Sequence, residues 1–438
     1  MTDTIYAIAT GSLPSAIAII RISGPFVPSV ITQMIPGYSL PRQFLLRSIK
    51  DPRTAELLDR GLVVWFPSPQ SYTGEDYLEL HIHGGSAVVR AVVRALDKIP
   101  SLRMAEPGEF SLRAFHNGKM DLSSLEGLSD LISAQTDEQR KQALSIAGGY
   151  LSQHIDNWRN SLIEALSYLE AELDFSDERD VEVSEKSAAY NILHRMKHEF
   201  EFALTESVRG EIIRNGISIA LIGAPNVGKS TLLNRLAQRE VAIVTDLPGT
   251  TRDLIEVSLD IKGYKANLFD TAGLRDTSDQ IEIEGIKRTK GLLDKVHIII
   301  ELSDLGEFGL ANLSQSTEYI KVLSKADQTL SYSSDHDLAI SSHSGEGIEE
   351  LLYLLQSKII RLADNKEPAL ITRERHRRLI EDSLLYVNNA LHLFDRGVSL
   401  ELVAEELRLS ANSLSRIIGR IDVEDVLGEI FSRFCIGK

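Results

Sequence analysis

The stretch GAPNVGKS, from Gly223 to Ser230, has the spacing G-x-x-x-x-G-K-[ST] and lies between an apolar run, ISIALIG, and a helical one, STLLNRLA. Glycines so placed let backbone N–H groups turn inward around phosphate oxygens. Lys229 brings a positive charge to the outer phosphates, and the Ser230 hydroxyl suits a magnesium ion. Shorter strings follow in order. GTTRD carries Thr250 and Thr251, about twenty residues on, in a loop that could close a hydroxyl onto the metal. DTAG, Asp270 to Gly273, would end a strand with an acidic residue on the metal's outer shell and a glycine sensing the γ-phosphate. LSKAD sets Asp327 where a carboxylate can accept from the guanine ring N–H and amino group, and Ser341 and Ser342 in AISSHSGEG would line the base. Each string is weak alone. Together, each at the carboxyl end of a strand, they imply guanine-nucleotide hydrolysis.

A second candidate chemistry sits at the chain's end, FSRFCIGK, where Cys435 is the only cysteine. A small buried apolar filler is one reading. Prenylation is another, but a terminal Lys438 after Ile-Gly fits that pattern poorly. The third is a thiol that attacks a substrate or moves a proton. In YLELHIH, period-two alternation puts Glu79, His81 and His83 on one strand face. The His-x-His pair invites a metal reading, yet no third ligand follows at suitable spacing.

Three zones must position these groups. Residues 1–118 carry short β-rich runs (AIAIIRIS, GLVVWF, YLELHIH) separated by turn signals, which predicts a compact α+β domain. From 119 to 214 helical spacing takes over, with Leu151, Ile155, Trp158, Leu162, Leu166 and Leu169 forming one stripe. Residues 365–438 behave alike, through Leu384, Leu391 and Phe394, so the two stretches are expected to form one discontinuous helical bundle. The piece between, 215–364, alternates strands and helices as in a largely parallel sheet covered by helices.

At 438 residues the chain is long enough for two or three cores, and one cysteine excludes an intrachain disulfide framework and fits a reducing, cytoplasmic setting. No apolar stretch approaches the roughly 20 residues of a membrane span, and Asp3 stands where a secretory signal would want positive charge. A formal net charge of -16 argues against a free-standing nucleic-acid binder. RNA would have to reach a local patch or come with a partner.

With these motifs in place, the whole chain resembles the MnmE (TrmE) family of tRNA modification GTPases. The resemblance rests on RISG, YTGEDYLELHIHGG, RAFHNGKMDL, the GTPase set and the terminal CIGK. It implies α/β plus α architecture: an N-terminal α+β folate-binding and dimerisation domain, a helical bundle, and a Ras-like P-loop G domain inserted into it. It also implies a homodimer that works with the flavoprotein MnmG (GidA), in a heterotetramer or larger complex. That assembly adds an aminomethyl or carboxymethylaminomethyl group at C5 of the wobble uridine of certain tRNAs, with tRNA held mainly by the partner. Potassium-dependent pairing of G domains would drive hydrolysis.

The resemblance assigns residues as well. GTP would be held by Asn226, Val227, Gly228, Lys229, Ser230 and Thr231. The following loop adds Thr245, Asp246, Leu247, Pro248, Gly249, Thr250 and Thr251, and then Asp270, Thr271, Ala272 and Gly273. Lys325, Asp327, Ser341 and Ser342 complete the set. Mg²⁺ falls to Ser230 and Thr251, and K⁺ to Asn226, Thr245, Leu247 and Thr250, where its charge would stand in for an arginine finger. Glu282, twelve residues after Asp270, matches the catalytic glutamate that orients the attacking water. A one-carbon tetrahydrofolate (5,10-methylene or 5-formyl) would meet Arg21, Glu79, Lys119 and Lys438, with Cys435 acting beside it. A carboxylate suits the pterin N–H edge, and Arg or Lys suits folate's carboxylates.

Two departures stand out. The family's NKxD is here SKAD, so Ser324 replaces an asparagine whose amide contacts the base and steadies the phosphate loop, with weaker guanine binding expected. The usual glycine-rich turn before the first strands is here GSLPSA, near Arg21. A GTPase switch of ribosome assembly would share the G-domain strings, but no G-x-x-G loop of a KH module follows them.

Overall fold

The computed structural model describes residues 3–174, 184–239, 241–243, 256–270, 296–309, 317–328, 335–363, 368–397, 399–421, 427 and 437. The chain divides into two compact units, Met1–Ser129 with Ser415–Lys438, and Asp130–Leu414.

The first unit is built on a six-stranded sheet of β1 (Thr4–Ile8), β2 (Ile17–Ser23), β3 (Leu45–Lys50), β4 (Leu57–Phe66), β5 (Tyr77–His83) and β6 (Leu102–Met104). Its order is β3-β4-β5-β2-β1-β6, antiparallel except for the parallel β1–β6 pair. Alternation decides what each face does. Ala18, Ile20 and Ile22 of β2 and Leu78, Leu80 and Ile82 of β5 point to one side. There they pack with Val27, Val30 and Met34 of helix Val27–Met34 and with Val89, Val92 and Leu96 of helix Ser86–Asp97. The opposite side carries Arg21, Tyr77, Glu79 and His81, part of it covered by Phe110 of helix Glu109–His116.

The second unit holds the sheet β7 (Ile217–Gly223), β8 (Glu256–Ile261), β9 (Tyr264–Asp270), β10 (Ile298–Ser303), β11 (Glu318–Leu323) and β12 (Leu338–Ala339), in the order β12-β11-β10-β7-β9-β8. All pairs are parallel except the β8–β9 hairpin. Its turn runs through Lys262 and Gly263 at φ +54° and +88°, the left-handed pair that a two-residue hairpin needs. Leu221, Leu268, Ile300 and Val322 form its core with Leu232 of helix Lys229–Ala237 and Leu355 of helix Ile348–Ala363.

The helices of this unit include Tyr150–Asp174 packed on Ser184–Asn215, which in turn packs on Glu374–Asp395. The buried line of the first runs Leu151, Ile155, Trp158, Leu162, Ala165, Leu169. Steps of three and four from Leu162 to Leu169 pass equally through Ala165 or Leu166. It is the small Ala165 that is fully buried, and the expected Leu166 is only half-buried. In helix Glu374–Asp395 the buried line passes through Ile380, Ser383, Val387 and Ala390, while Leu384 and Phe394 are only half-buried. Large apolar residues dominate the sequence pattern, but close packing selects the small ones at these seams. No described helix is long and apolar enough to cross a membrane.

Candidate functional site

The interior strand β7 lies between β10 and β9, where the sheet's order reverses and its strand ends open a crevice. Its last residue, Gly223, has φ +142°, and a Cβ there would lie 2.2 Å from the carbonyl oxygen of Leu302. Only glycine permits that approach. The loop then turns through Asn226 at φ +62° and Gly228 at φ +107°, the latter capping helix Lys229–Ala237 with no side-chain hydrogen bond. Its first N–H groups and its dipole therefore serve an anion at this end. Val227 is buried in the core and anchors the loop from below, while Asn226, Ser230 and Thr231 are exposed.

Lys229 is 5% exposed, and its Nζ donates to the carbonyls of Gly223 and Ala224, both at 2.9 Å. The ammonium is thus folded over the loop whose N–H groups face the anion. Ser230 Oγ donates to Oδ2 of Asp270 at 2.8 Å, and Asp270 is 2% exposed at the end of β9. A hydroxyl and a carboxylate side by side, oxygen donors only, fit a hard divalent cation such as Mg²⁺.

The other end of the crevice gathers two loops. After β11, Ser324 is buried with its N–H on the Ser303 carbonyl at 2.8 Å. Lys325, at φ +56°, reaches Asp304 Oδ2 at 2.8 Å. A hydrogen bond from Ser341 holds the exposed Asp327 carboxyl below the usual carboxylate range, so it is ionised to accept N–H donors. Ser341 itself is fully buried, and its Oγ accepts from the Ser344 N–H at 3.1 Å. Ser342 follows, half-buried, in the same turn. Asp327 and Ser341 therefore meet at this end of the crevice. Thr245, Asp246, Leu247, Pro248, Gly249, Thr250, Thr251, Thr271, Ala272, Gly273 and Glu282 lie outside the described residues.

In the first unit, Arg21 and Glu79 are direct cross-strand partners of β2 and β5. Arg21 Nε donates to Glu79 Oε1 at 3.2 Å, and the Tyr77 hydroxyl donates to the same oxygen at 3.2 Å. His81 Nε2 bonds Glu79 Oε2 at 3.1 Å and packs edge-on to Phe44. A carboxylate accepts about four hydrogen bonds, so Glu79 keeps capacity for a further N–H donor. Burial pushes the Tyr72 and Tyr77 hydroxyls up from their ordinary range, partly offset by the Arg21 charge near both. Lys119 is exposed, and its stem passes Gly74, where a Cβ would lie 3.2 Å from Lys119 Cε.

The chain's end reaches this cluster. Arg21 Nη1 donates to the carbonyl of Gly437 at 3.2 Å, and Gly437 is buried against Ile8 and Ala9. Lys438 follows that glycine and Cys435 precedes it by two positions; both lie outside the described residues.

Some contributors leave little trace in the sequence. Alternation places His81 on the face of Glu79, but nothing in the sequence aims it, or the neighbouring Tyr77, at that carboxylate. Arg113 opens the string RAFHNGKMDL, but no period or spacing marks it as buried. It is fully buried and joins Asp3, Glu75 and Glu109, each at 3.0 Å. Glu75 also accepts from Ser23, two residues past Arg21, and Asn117 holds the Thr73 carbonyl at 2.7 Å, so this network ties together the loops around the cluster.

Comparisons with known proteins bear on both units. A family model described as the MnmE helical domain matches residues 122–435, and one described as the GTP-binding protein TrmE N-terminus matches residues 4–119. A tRNA modification GTPase MnmE of Rhodopseudomonas palustris is 46% identical over 441 residues, covering 100% of this chain and 99% of the relative. One of Azorhizobium caulinodans is 44% identical over 437 residues, with the same coverage. Among solved structures, the G domain of the FeoB iron transporter of T. maritima is 26% identical, covering 34% of this chain and 99% of that chain. Its TM-score is 0.22.

Proposed function

This chain belongs to the MnmE family of tRNA modification GTPases, and we propose that its GTP turnover serves a folate-dependent modification at C5 of the tRNA wobble uridine. The chain is a GTPase of tRNA modification. Its three working modules are 1–118, 119–214 with 365–438, and 215–364.

GTP lies with its phosphates on the loop from Gly223 to Ser230 and its base against Asp327, Ser341 and Ser342. Lys325 and Asp304 brace that end through their ion pair. Lys229 exchanges two carbonyl partners for the outer phosphates, so it meets them already oriented and largely dry. Ser230 and Thr251 would hold Mg²⁺, with Asp270 behind Ser230, and the ion would supply positive charge to the phosphates. Water, oriented by Glu282, attacks the γ-phosphorus in line, and the bond to the bridging oxygen breaks to leave GDP. Asn226, with Thr245, Leu247 and Thr250, would hold K⁺ where charge develops on the transferring group. Asp246, Pro248 and Gly249 of the same loop line the nucleotide, as do Thr271, Ala272 and Gly273 beyond Asp270.

In the first unit a one-carbon tetrahydrofolate fits the donor set present. Glu79 has room for an N–H edge, and Arg21 and Lys119 suit carboxylates, with Lys438 from the tail. The folate supplies the one-carbon unit, and MnmG the redox chemistry. Cys435 then serves at the uracil ring, as nucleophile or as proton donor. The observation that carries this reading is the Arg21 hydrogen bond to Gly437, two residues past Cys435. A homodimer is supported by the sheet's open face, where Leu46 and Leu62 are cross-strand partners, 49% and 41% exposed, and Leu62 faces His81, with Phe44 exposed against it. A tRNA substrate implies a cytoplasmic setting.

The test is Cys435→Ser. GTP hydrolysis should stay near normal while the modified wobble nucleoside disappears from tRNA digests read by mass spectrometry. Full modification in that variant would overturn the role of the tail.

A further inference from the structure

The second unit carries a cavity of about 540 Å³ between helices Tyr150–Asp174 and Ser184–Asn215, completed by residues 368–370. No residue of the phosphate loop or of the base-binding loops lines it. Its volume lies in the range of small organic ligands, about 300–1,000 Å³.

Rings come from both helices. Tyr150, His154 and Trp158, at steps of four, share one helix face, with successive ring centroids 4.8 and 6.3 Å apart. Phe202, from the second helix, also lines the cavity and is 67% exposed. Flat apolar surfaces contributed by two elements suit a planar ring slid between them.

The polar groups narrow the choice. Arg209 is paired with Glu206 at 2.9 Å. Arg195 and Glu199 stand 3.8 Å apart, too far for a hydrogen bond. Glu199 Oε2 accepts from Trp158 Nε1 at 2.6 Å, which fixes the carboxylate and turns its other oxygen toward Arg195. Arg195 Nη2 donates weakly to Ser161 Oγ at 3.4 Å. Two arginines balanced by two glutamates give no net field for phosphate. A carboxylate beside a guanidinium instead offers acceptors next to donors. Guanine presents the complement, with N1–H and N2–H₂ donors beside the O6 and N7 acceptors. Adenine would put its N1 lone pair against the carboxylate.

We propose that this cavity binds a guanine base, with Glu199 accepting from N1–H and N2–H₂ and Arg195 donating to O6 or N7. Phe202 and Tyr150 lie against the ring. The base belongs either to a free nucleoside or to an unstacked position of an RNA, and the chemistry is common to both.

The chain has two tryptophans, Trp65 and Trp158, so a Trp65→Phe background makes Trp158 the sole reporter of this cavity. Guanosine, adenosine and a tRNA anticodon stem-loop are titrated in turn, with calorimetry on the unsubstituted chain as a second measurement. A saturable change with guanosine is expected, at least about tenfold weaker with adenosine. It should persist in Asp327→Ala, which disables the nucleotide site, and weaken at least about tenfold in Glu199→Gln. A much tighter stem-loop assigns the base to RNA, and binding of guanosine alone assigns a free nucleoside. No saturable change with any of the three, adenosine binding as tightly as guanosine, or equal affinities with and without Glu199→Gln, overturns the proposal.

Discussion

Arg21 and Gly437, 416 positions apart, are joined by a 3.2 Å hydrogen bond from guanidinium to backbone carbonyl. Gly437 sits at φ +96°, and a Cβ there would lie 2.6 Å from the Ile8 carbonyl oxygen and 3.1 Å from Ala9 Cα. Both the backbone conformation and the close approach exclude a side chain. Gly437→Ala is therefore expected to lift the tail off β1 without touching the nucleotide site. Misplacement by an ångström costs about a hundredfold in a positioned reaction, so wobble modification should fall by that order while GTP hydrolysis holds. Nucleoside analysis beside a phosphate-release assay checks both, and unchanged modification would separate the tail from the chemistry.

Asn226 occupies the left-handed region at φ +62°, which asparagine and glycine tolerate best. Asn226→Gly keeps that backbone and removes only the amide. If the amide holds K⁺, hydrolysis in the unsubstituted chain is much faster in K⁺ than in Na⁺ at matched ionic strength. The glycine variant should lose that preference while still binding GDP. Equal rates in both salts for the unsubstituted chain would remove the cation from the mechanism.

The nucleotide crevice was legible because its parts are local. ISIALIG and YKANLFD are β7 and β9 residue for residue, and the glycines that punctuate them do one backbone job each. YLELHIH likewise gave β5 and its polar face. What stayed hidden depends on distant packing. The Arg113 network joins side chains from Asp3 to Glu109, and no period or spacing announces a buried arginine. That Cys435 and Lys438 would stand near Arg21 came only through resemblance, and nothing in the sequence pointed to the Gly437 carbonyl as the partner of Arg21.

Arg113 yields a prediction whose sign depends on pH. Burial pushes the Glu109 carboxyl up, but hydrogen bonds from Arg103, the Glu106 N–H and Arg113 outweigh it and hold the group below its ordinary 4.5. A depressed carboxylate adds stability above its unfolded pKa and loses it as pH falls through the folded value. In the unsubstituted chain that loss sets in below about pH 4.5. Arg113→Met removes one of the two arginines that hold Glu109 and leaves Arg103 as the other. The charge is only partly stranded, so the cost near neutrality falls below the figure for a fully broken buried pair, about 3–5 kcal/mol. Protonation relieves the stranded charge, so the deficit measured by urea unfolding should shrink between pH 7 and pH 4. A deficit independent of pH would mean that lost packing, not charge, is responsible.

Ser324 gives the last prediction. It is 2% exposed, its hydroxyl has no hydrogen-bond partner among the described residues, and its N–H is committed to Ser303. An orphaned buried hydroxyl costs stability without serving the base, whereas an asparagine would carry an amide with two donors and an acceptor from the same backbone position. Ser324→Asn should tighten GDP binding several-fold, as one added hydrogen bond of about 1 kcal/mol implies. The larger side chain also risks overpacking the end of β11, which costs about 1–3 kcal/mol where no space opens. Affinity and melting temperature therefore separate the two effects. Tighter GDP binding with a melting point that does not rise beyond the ligand's own contribution means the amide reaches the nucleotide. An unchanged Kd with a lower melting point means the buried space under Ser324 cannot take it, and that guanine selectivity here rests on Asp327 and Ser341 alone.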